Sequence, residues 1–394
     1  MIRSPAFVAF AAFGAFWGVW GASVPRVQQQ AGIGDGSLGF ALLFVGAGAL
    51  PAMLLAGRAL DRWGPAVAAV VIGALGVAGA GLALTAVNLA SLCAGLAVVG
   101  AASGAADVAM NAVAGRAEKI TGRPVITRAH GVFSSLVVLA SLATGLSADA
   151  SLPLAVPFTV VAGLSLAAGA FLLMTLSGEV TVPARATTAA PSGPGIVPFV
   201  LVGVLGALAF ASENAHQSWS AVFAHDELHS GAGPSAVAPA VFAGVVAIAR
   251  FSVGGLKAAH ARVVLLTGAV GAAAGAVLIA AAPTLLVAAL GLAVAAAGTA
   301  VLFPTLLTIV SRDVDESRRG RATSVVTTVS YLGFLLGPVY VGVWADAVGL
   351  RGAMIAVAAL AVVLFTLTPA LLRLSGFGRT EHRGDADLVA RSSL

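Results

Sequence analysis

Charge is the first thing this chain is short of. Asp, Glu, Lys and Arg together make up 9% of its 394 residues, where a soluble domain carries about 25%. That scarcity excludes an ordinary water-soluble enzyme. Cysteine is rarer still: Cys93 stands alone inside an apolar run, so no intrachain disulfide can form, and it reads as a small buried hydrophobe. The sequence also lacks a metal-ligand constellation, a phosphate-cradling glycine loop and a catalytic triad, so nothing in it points to an enzyme, a metal or a cofactor. What it has is hydrocarbon: 59% of the residues are apolar and the mean hydropathy is +1.02. This is the composition of a polytopic, all-α membrane protein.

Twelve apolar runs are long enough to cross a bilayer core of about 30 Å. They cover 6–25, 38–57, 65–87, 89–114, 130–148, 154–176, 196–223, 236–255, 262–281, 284–310, 321–344 and 350–373. The first follows Arg3 but is too long for a cleaved signal, and eleven more come after it, so it reads as a retained helix. The net charge of +5 does not mark a nucleic-acid surface, because the basic residues fall in short loops and form no basic face. With the N-terminus inside, 19 of the 21 Lys and Arg residues are cytoplasmic, and only Arg26 and Arg351 lie outside. Both termini are therefore expected in the cytoplasm of a cell (plasma or inner) membrane protein that spans it many times.

The Pro-, Thr- and Ser-rich stretch 177–195 cannot bury a core and reads as a cytoplasmic linker between two six-helix bundles, 1–176 and 196–373. The tail 374–394 is charged, without periodicity, and is expected to be disordered. The halves echo each other. Arg250 and Gly254 keep the spacing of the turn after span two, with Ala258 and Ala259 in place of its Asp-Arg pair. Arg123 to His130 likewise corresponds to Ser317 to Thr323. A two-fold repeat of this kind predicts bundles that rock about a central site.

That turn, Gly57-xxx-Asp61-Arg62-x-Gly64, resembles the signature of the major facilitator superfamily, with Pro65 and Ala66 where basic residues usually follow. The resemblance implies a gating motif made of Gly57, Asp61, Arg62 and Gly64, joined by Arg250 and Gly254. Gly57 would permit close helix approach, and the charges would latch the two bundles in the outward-open state. Asp107-xxx-Asn111, His130-xx-Phe133-Ser134 and Glu213 followed by Trp219-Ser220 are similar to the fucose-permease-like branch and the bacterial inner-membrane transporters near it. That permease has a first-helix carboxylate where Gly21 stands here, ahead of Pro25, so the resemblance carries a proton-coupling acid but no sugar specificity.

Read as residues, the polar side chains form two stripes. Ser103, Asp107 and Asn111 share one face of span four; Glu213, His216, Gln217 and Ser220 share one of span seven. An acid at such depth usually faces a cavity, and burial disfavours its charged form, which suits it to taking up and releasing protons. Asp107 is thus the main proton-coupling residue expected, with Glu213 second and His216 as a pH-sensitive neighbour. Asn111, Asn214 and Gln217 are the expected hydrogen-bonding substrate ligands. Trp17, Trp20, Trp219 and Tyr331 are the expected stacking surfaces. His130 reads as a cap or interface residue, and Pro338, in Gly333-xxx-Gly337-Pro338-xxx-Gly342, as a kink.

These readings converge on a monomeric secondary active transporter with a small-molecule substrate, protons and the lipid bilayer as partners, and no nucleic acid. The preferred form is proton symport of a small polar solute, sugar-like or another metabolite, by alternating access. A proton-driven exporter of hydrophobic or toxic compounds is the alternative, although span five lacks the Gly-Pro element of such exporters. A non-transporting sensor or assembly protein on the same fold is the third.

Overall fold

A computed structural model describes residues 4–176, 195–252, 260–314 and 316–377. Among them, regular structure is entirely helical: α1 (Ser4–Ala31), α2 (Asp35–Trp63), α3 (Val67–Thr85), α4 (Leu89–Thr121), α5 (Ile126–Asp149), α6 (Ala155–Leu176), α7 (Val197–Val222), α8 (Ala232–Ser235), α9 (Val237–Ser252), α10 (Ala261–Ala280), α11 (Leu285–Thr299), α12 (Leu302–Asp313) and α13 (Glu316–Ser375). A π-helical turn, Phe223–Glu227, prolongs α7. Nearly all of the linker and the tail, with Gly254, lie outside the described residues.

Eleven helical stretches are long and apolar enough to span a membrane, one fewer than the sequence predicts. Span ten, although broken into α11 and α12 at Ala300 and Val301, still makes one stretch, Leu285–Asp313. Spans eleven and twelve run together as α13, whose 60 residues would stretch about 90 Å if straight. They are not straight, because Gly349 takes φ 77° and ψ 168°, a conformation that glycine adopts without a Cβ clash. Tyr340 donates a hydrogen bond to the Ala356 carbonyl at 3.1 Å, across 16 residues, where a straight helix would separate the two by about 24 Å. So α13 is two antiparallel crossings, 316–348 and 350–375, and the total is twelve. At Pro338, where a kink was expected, the backbone stays helical; Gly349 is where α13 leaves helical geometry.

The halves repeat one another in their details. Ser141 donates to the Gly18 carbonyl, 123 residues away, and Ser330 donates to the Gly203 carbonyl, 127 residues away. Each bond ties the fifth crossing of a half to its first. The fourth crossings also start alike: Asn88 accepts from the Ser91 N–H at the head of α4, and Thr284 from the Val287 N–H at the head of α11, which satisfies helix-end donors in both.

Contact between the halves is concentrated at the end remote from the termini, here called the distal end. Glycine on both sides lets α2 meet the first limb of α13: a Cβ on Gly39 would lie 2.8 Å from the Gly342 Cα. Similarly, a Cβ on Gly145 of α5 would lie 2.7 Å from the Gly233 carbonyl oxygen. Gln29 and His225 hydrogen-bond across the seam at 2.9 Å. One apolar core accordingly joins Val24 and Leu38 with Trp219, Phe242 and Val341, while the terminal side of the second half has a separate core around Phe199, Leu205, Leu306 and Val326. Apolar side chains such as Leu54, Leu146, Met174 and Leu286 are exposed on the outer surface, as lipid-facing helices require.

A branched side chain at Gly342 should wedge this seam apart. Cysteines placed at Gln29 and His225 should be joined by a short bifunctional thiol reagent in otherwise unaltered protein, and Gly342→Val should cut that cross-linking several-fold, as read on a gel; unchanged cross-linking would contradict the packing described.

Candidate functional site

A cavity of about 290 Å³ lies between the halves, walled by α1, α2, α4 and α5 on one side and by α7, α9 and the first limb of α13 on the other. Its aromatic lining comes from Phe13, Trp17 and Trp20 of α1, Phe133 of α5, Phe210 of α7, and Tyr331 and Phe334 of α13. Phe13, Trp17 and Trp20 recur at helical spacing, so one face of α1 is an aromatic wall. The sequence reading found the tryptophans and Tyr331 but missed the phenylalanines, whose signal was that same periodicity.

Asp107 sits on the α4 wall with Ser103 and Gly104. Asn111, one turn on, donates to its Oδ1 at 3.2 Å and to its backbone carbonyl at 2.9 Å. Asn111 itself does not line the cavity; its amide orients the acid. Asp107 makes no ion pair among the described residues, and its carboxylate faces the void and not the outer surface.

The α7 stripe divides. Phe210, Glu213, Asn214, Gln217 and Ser218 face the cavity, following the i, i+3, i+4, i+7, i+8 rows of one helix face. His216 does not. It lies 300° further round the helix than Glu213, is 1% exposed, stacks on Phe242 and turns its Nδ1 to the Ser212 carbonyl at 2.7 Å. His216 and Ser220 border a separate, one-water-sized void inside the second half, which corrects the expected pairing of His216 with Glu213. Trp219 is also withdrawn: it is fully buried and its Nε1 donates to the Pro338 carbonyl at 3.1 Å, so it is a strut and not a stacking surface.

Asn214 has a structural task although it borders the void. Proline has no N–H, so Pro338 leaves the Phe334 carbonyl one turn earlier without its helical donor. The Asn214 amide supplies that donor at 2.5 Å, and Ser218 donates in turn to the Asn214 Oδ1 at 3.1 Å. Close packing makes this possible: a Cβ on Gly333 or Gly337 would run into the backbone of Ala207 or Ala211.

Arg250 belongs to the cavity and not to a latch on the loops. Its guanidinium meets Glu213 at 2.7 Å and lies against the Ala300 carbonyl, so Glu213 is held in an ion pair and is 13% exposed. The expected gating turn is present without its contacts. Asp61 and Arg62 are exposed and make no ion pair among the described residues; Arg62 lies over the Trp63 ring at 5.6 Å. A Cβ on Gly57 would meet nothing within 4 Å, so Gly57 serves no close approach here. Gly64 takes φ 74° and closes α2 through its N–H to the Leu60 carbonyl.

Among the described residues, twelve helical crossings in two repeated halves surround the central cavity. The sequence model of the Major Facilitator Superfamily matches residues 257–391. The chain superposes on a mutant of the nucleoside transporter NupG with a TM-score of 0.78 at 13% identity, covering 94% of this chain and 100% of that one. The xylose transporter XylE from E. coli, in an inward open conformation, gives 0.72 at 16% identity, covering 97% of each chain. A bacterial homologue of the human lysosomal transporter Spinster, inward-facing and occupied, gives 0.73 at 15% identity, covering 94% of this chain and 96% of that one. No curated protein matches the chain in sequence. The family model thus matches the last third of the chain, and the described residues have the fold of these transporter structures; at these identities the likeness to the fucose-permease-like branch stays a resemblance.

Because the Phe334 carbonyl depends on Asn214, Asn214→Leu should lower stability by about 1–3 kcal/mol, the cost of a buried polar group left unpaired. Thermal unfolding of purified protein checks this. Gln217→Leu, on the same face but with no such bond, should leave the melting temperature within error.

Proposed function

We propose that the protein is a proton-coupled secondary transporter working by alternating access, with Asp107 as the proton-carrying group. The observation that carries this reading is the placement of Asp107: an acid without a counter-charge, oriented by Asn111, on the wall of a void between two halves that can move against each other. Glu213 has the lesser role, because Arg250 already compensates its charge. Under the positive-inside assignment the glycine-packed distal seam faces outward, which supports reading this arrangement as inward-facing. Exposed, unpaired Asp61 and Arg62 fit that state as a disengaged latch, and two of the similar structures carry inward-facing or inward open titles. Other similar structures are titled a nucleoside transporter and a D-xylose-proton symporter, and the second title supports coupling to protons. Gln217, Tyr331, Trp17 and Trp20 line the route a solute would take.

A second reading, proton exchange driving an amphiphilic compound outward, is favoured by one observation. Asn111 and Asn214 are both engaged in the protein's own hydrogen bonds, and the wall they leave is mostly aromatic.

Proteoliposomes loaded with a pH-sensitive dye and offered a panel of solutes test the main reading. Wild-type protein should move protons with at least one solute, and Asp107→Asn should abolish that flux while leaving the melting temperature nearly unchanged. Undiminished flux in Asp107→Asn would remove the assignment.

A further inference from the structure

The charges on the cavity wall are few enough to enumerate. Asp107, Glu213 and Arg250 are the ionisable acid and base side chains among the lining residues, and Glu213 and Arg250 neutralise each other at 2.7 Å. The wall therefore carries one net negative charge, at Asp107. From α1, α2 and α5 the lining holds no acid, base or histidine, and the first limb of α13 contributes the Tyr331 phenol. His130 of α5 is not among the lining residues; it stands edge-on to Phe10 at 4.9 Å and within electrostatic reach of Arg250.

Hydrogen-bonding capacity in the wall is limited. The Asn214 amide is engaged by the Phe334 carbonyl, Ser218 donates its proton to Asn214, and Asn111 serves Asp107. A polyhydroxylated solute needs a partner for nearly every hydroxyl it buries, and Gln217, Ser103 and Tyr331 supply few. An anion would face Asp107 and would have to detach Arg250 from Glu213. A cation meets the opposite situation: one uncompensated carboxylate, and rings such as Trp17, Trp20, Phe210 and Tyr331 whose faces attract positive charge when water is excluded.

We propose that the cavity selects a monovalent organic cation, an ammonium centre on an apolar or ring-bearing body, with Asp107 as its counter-ion. This deepens the transport reading and rests on it. A cation on Asp107 and a proton on Asp107 exclude each other, so one bound cation releases one proton, and a full cycle exchanges the two with no net charge moved.

Calorimetric titration of the purified full-length protein with benzyltrimethylammonium, its uncharged isostere neopentylbenzene, and D-glucose tests the proposal. The ammonium should bind at least tenfold tighter than the isostere. Below the pH at which Asp107 takes up its proton, its Kd should rise by about tenfold per pH unit, as competition with a single proton requires. In that same low-pH range, titrations in buffers of different ionisation enthalpy should show about one proton released per cation, falling to none where Asp107 is already ionised. Asp107→Asn should weaken ammonium binding about tenfold or more and flatten its pH dependence, with thermal unfolding confirming that the variant is folded; Trp17→Leu should weaken it several-fold. Equal affinity for ammonium and isostere, unchanged binding in Asp107→Asn, or selective binding of glucose would overturn the cation proposal. If Asp107-dependent proton flux with a neutral solute persists in proteoliposomes, only the substrate class has failed; if that flux is absent too, the transport reading falls with it.

Discussion

A polar backbone or side-chain group removed from water must find a partner inside the protein, and in this chain that constraint sorts the residues by role. The Phe334 carbonyl, deprived of its helical donor by Pro338, is the clearest case: Asn214 restores the bond and Trp219 takes the carbonyl one turn further on, at Pro338 itself. The seventh and eleventh crossings are thereby bonded into one unit, with Gly333 and Gly337 permitting the approach. Asp107 is the contrasting case: its carboxylate is bonded by Asn111 alone, has no counter-charge among the described residues, and lies with the aromatic wall on the cavity.

The same constraint links architecture to movement. Within each half, backbone carbonyls accept from buried serines, Ser141 to Gly18 and Ser330 to Gly203, so each half holds together as a body. Between halves, among the described residues, the distal seam combines glycine contact and a shared apolar core with the Gln29–His225 bond and with the Asp149 and Asp346 carboxylates set against Gly233 and Gly36. The proposed rocking of one half on the other would keep the serine–carbonyl ties inside each half and work at this seam.

Charge placement follows from scarcity. With so few ionisable residues, each one at depth has an identifiable task. Arg250 neutralises Glu213, and on the distal side Arg351 holds Glu227 at 2.6 Å and the Ala280 carbonyl at 2.8 Å. Arg26 ties α1 to the Leu152 carbonyl. The two basic residues that sequence counting left on the far side of the membrane are thus structural ties at the distal ends of helices.

Composition and spacing alone determined the class, the twelve crossings, the repeat and the depth of Asp107, because hydrocarbon demands long apolar helices and makes any acid among them conspicuous. Helical periodicity placed Asp107, Glu213 and Gln217 correctly toward a cavity and misplaced His216, since residues three apart share a broad face but not one narrow enough to line a void. Only tertiary structure decided which amides were already engaged, that Trp219 is a strut, that Arg250 neutralises Glu213 and that a Cβ on Gly57 would meet open space. Those facts depend on partners 37 to 120 residues away in the chain, or on the lack of any, and no local pattern records which distant carbonyl has lost its donor.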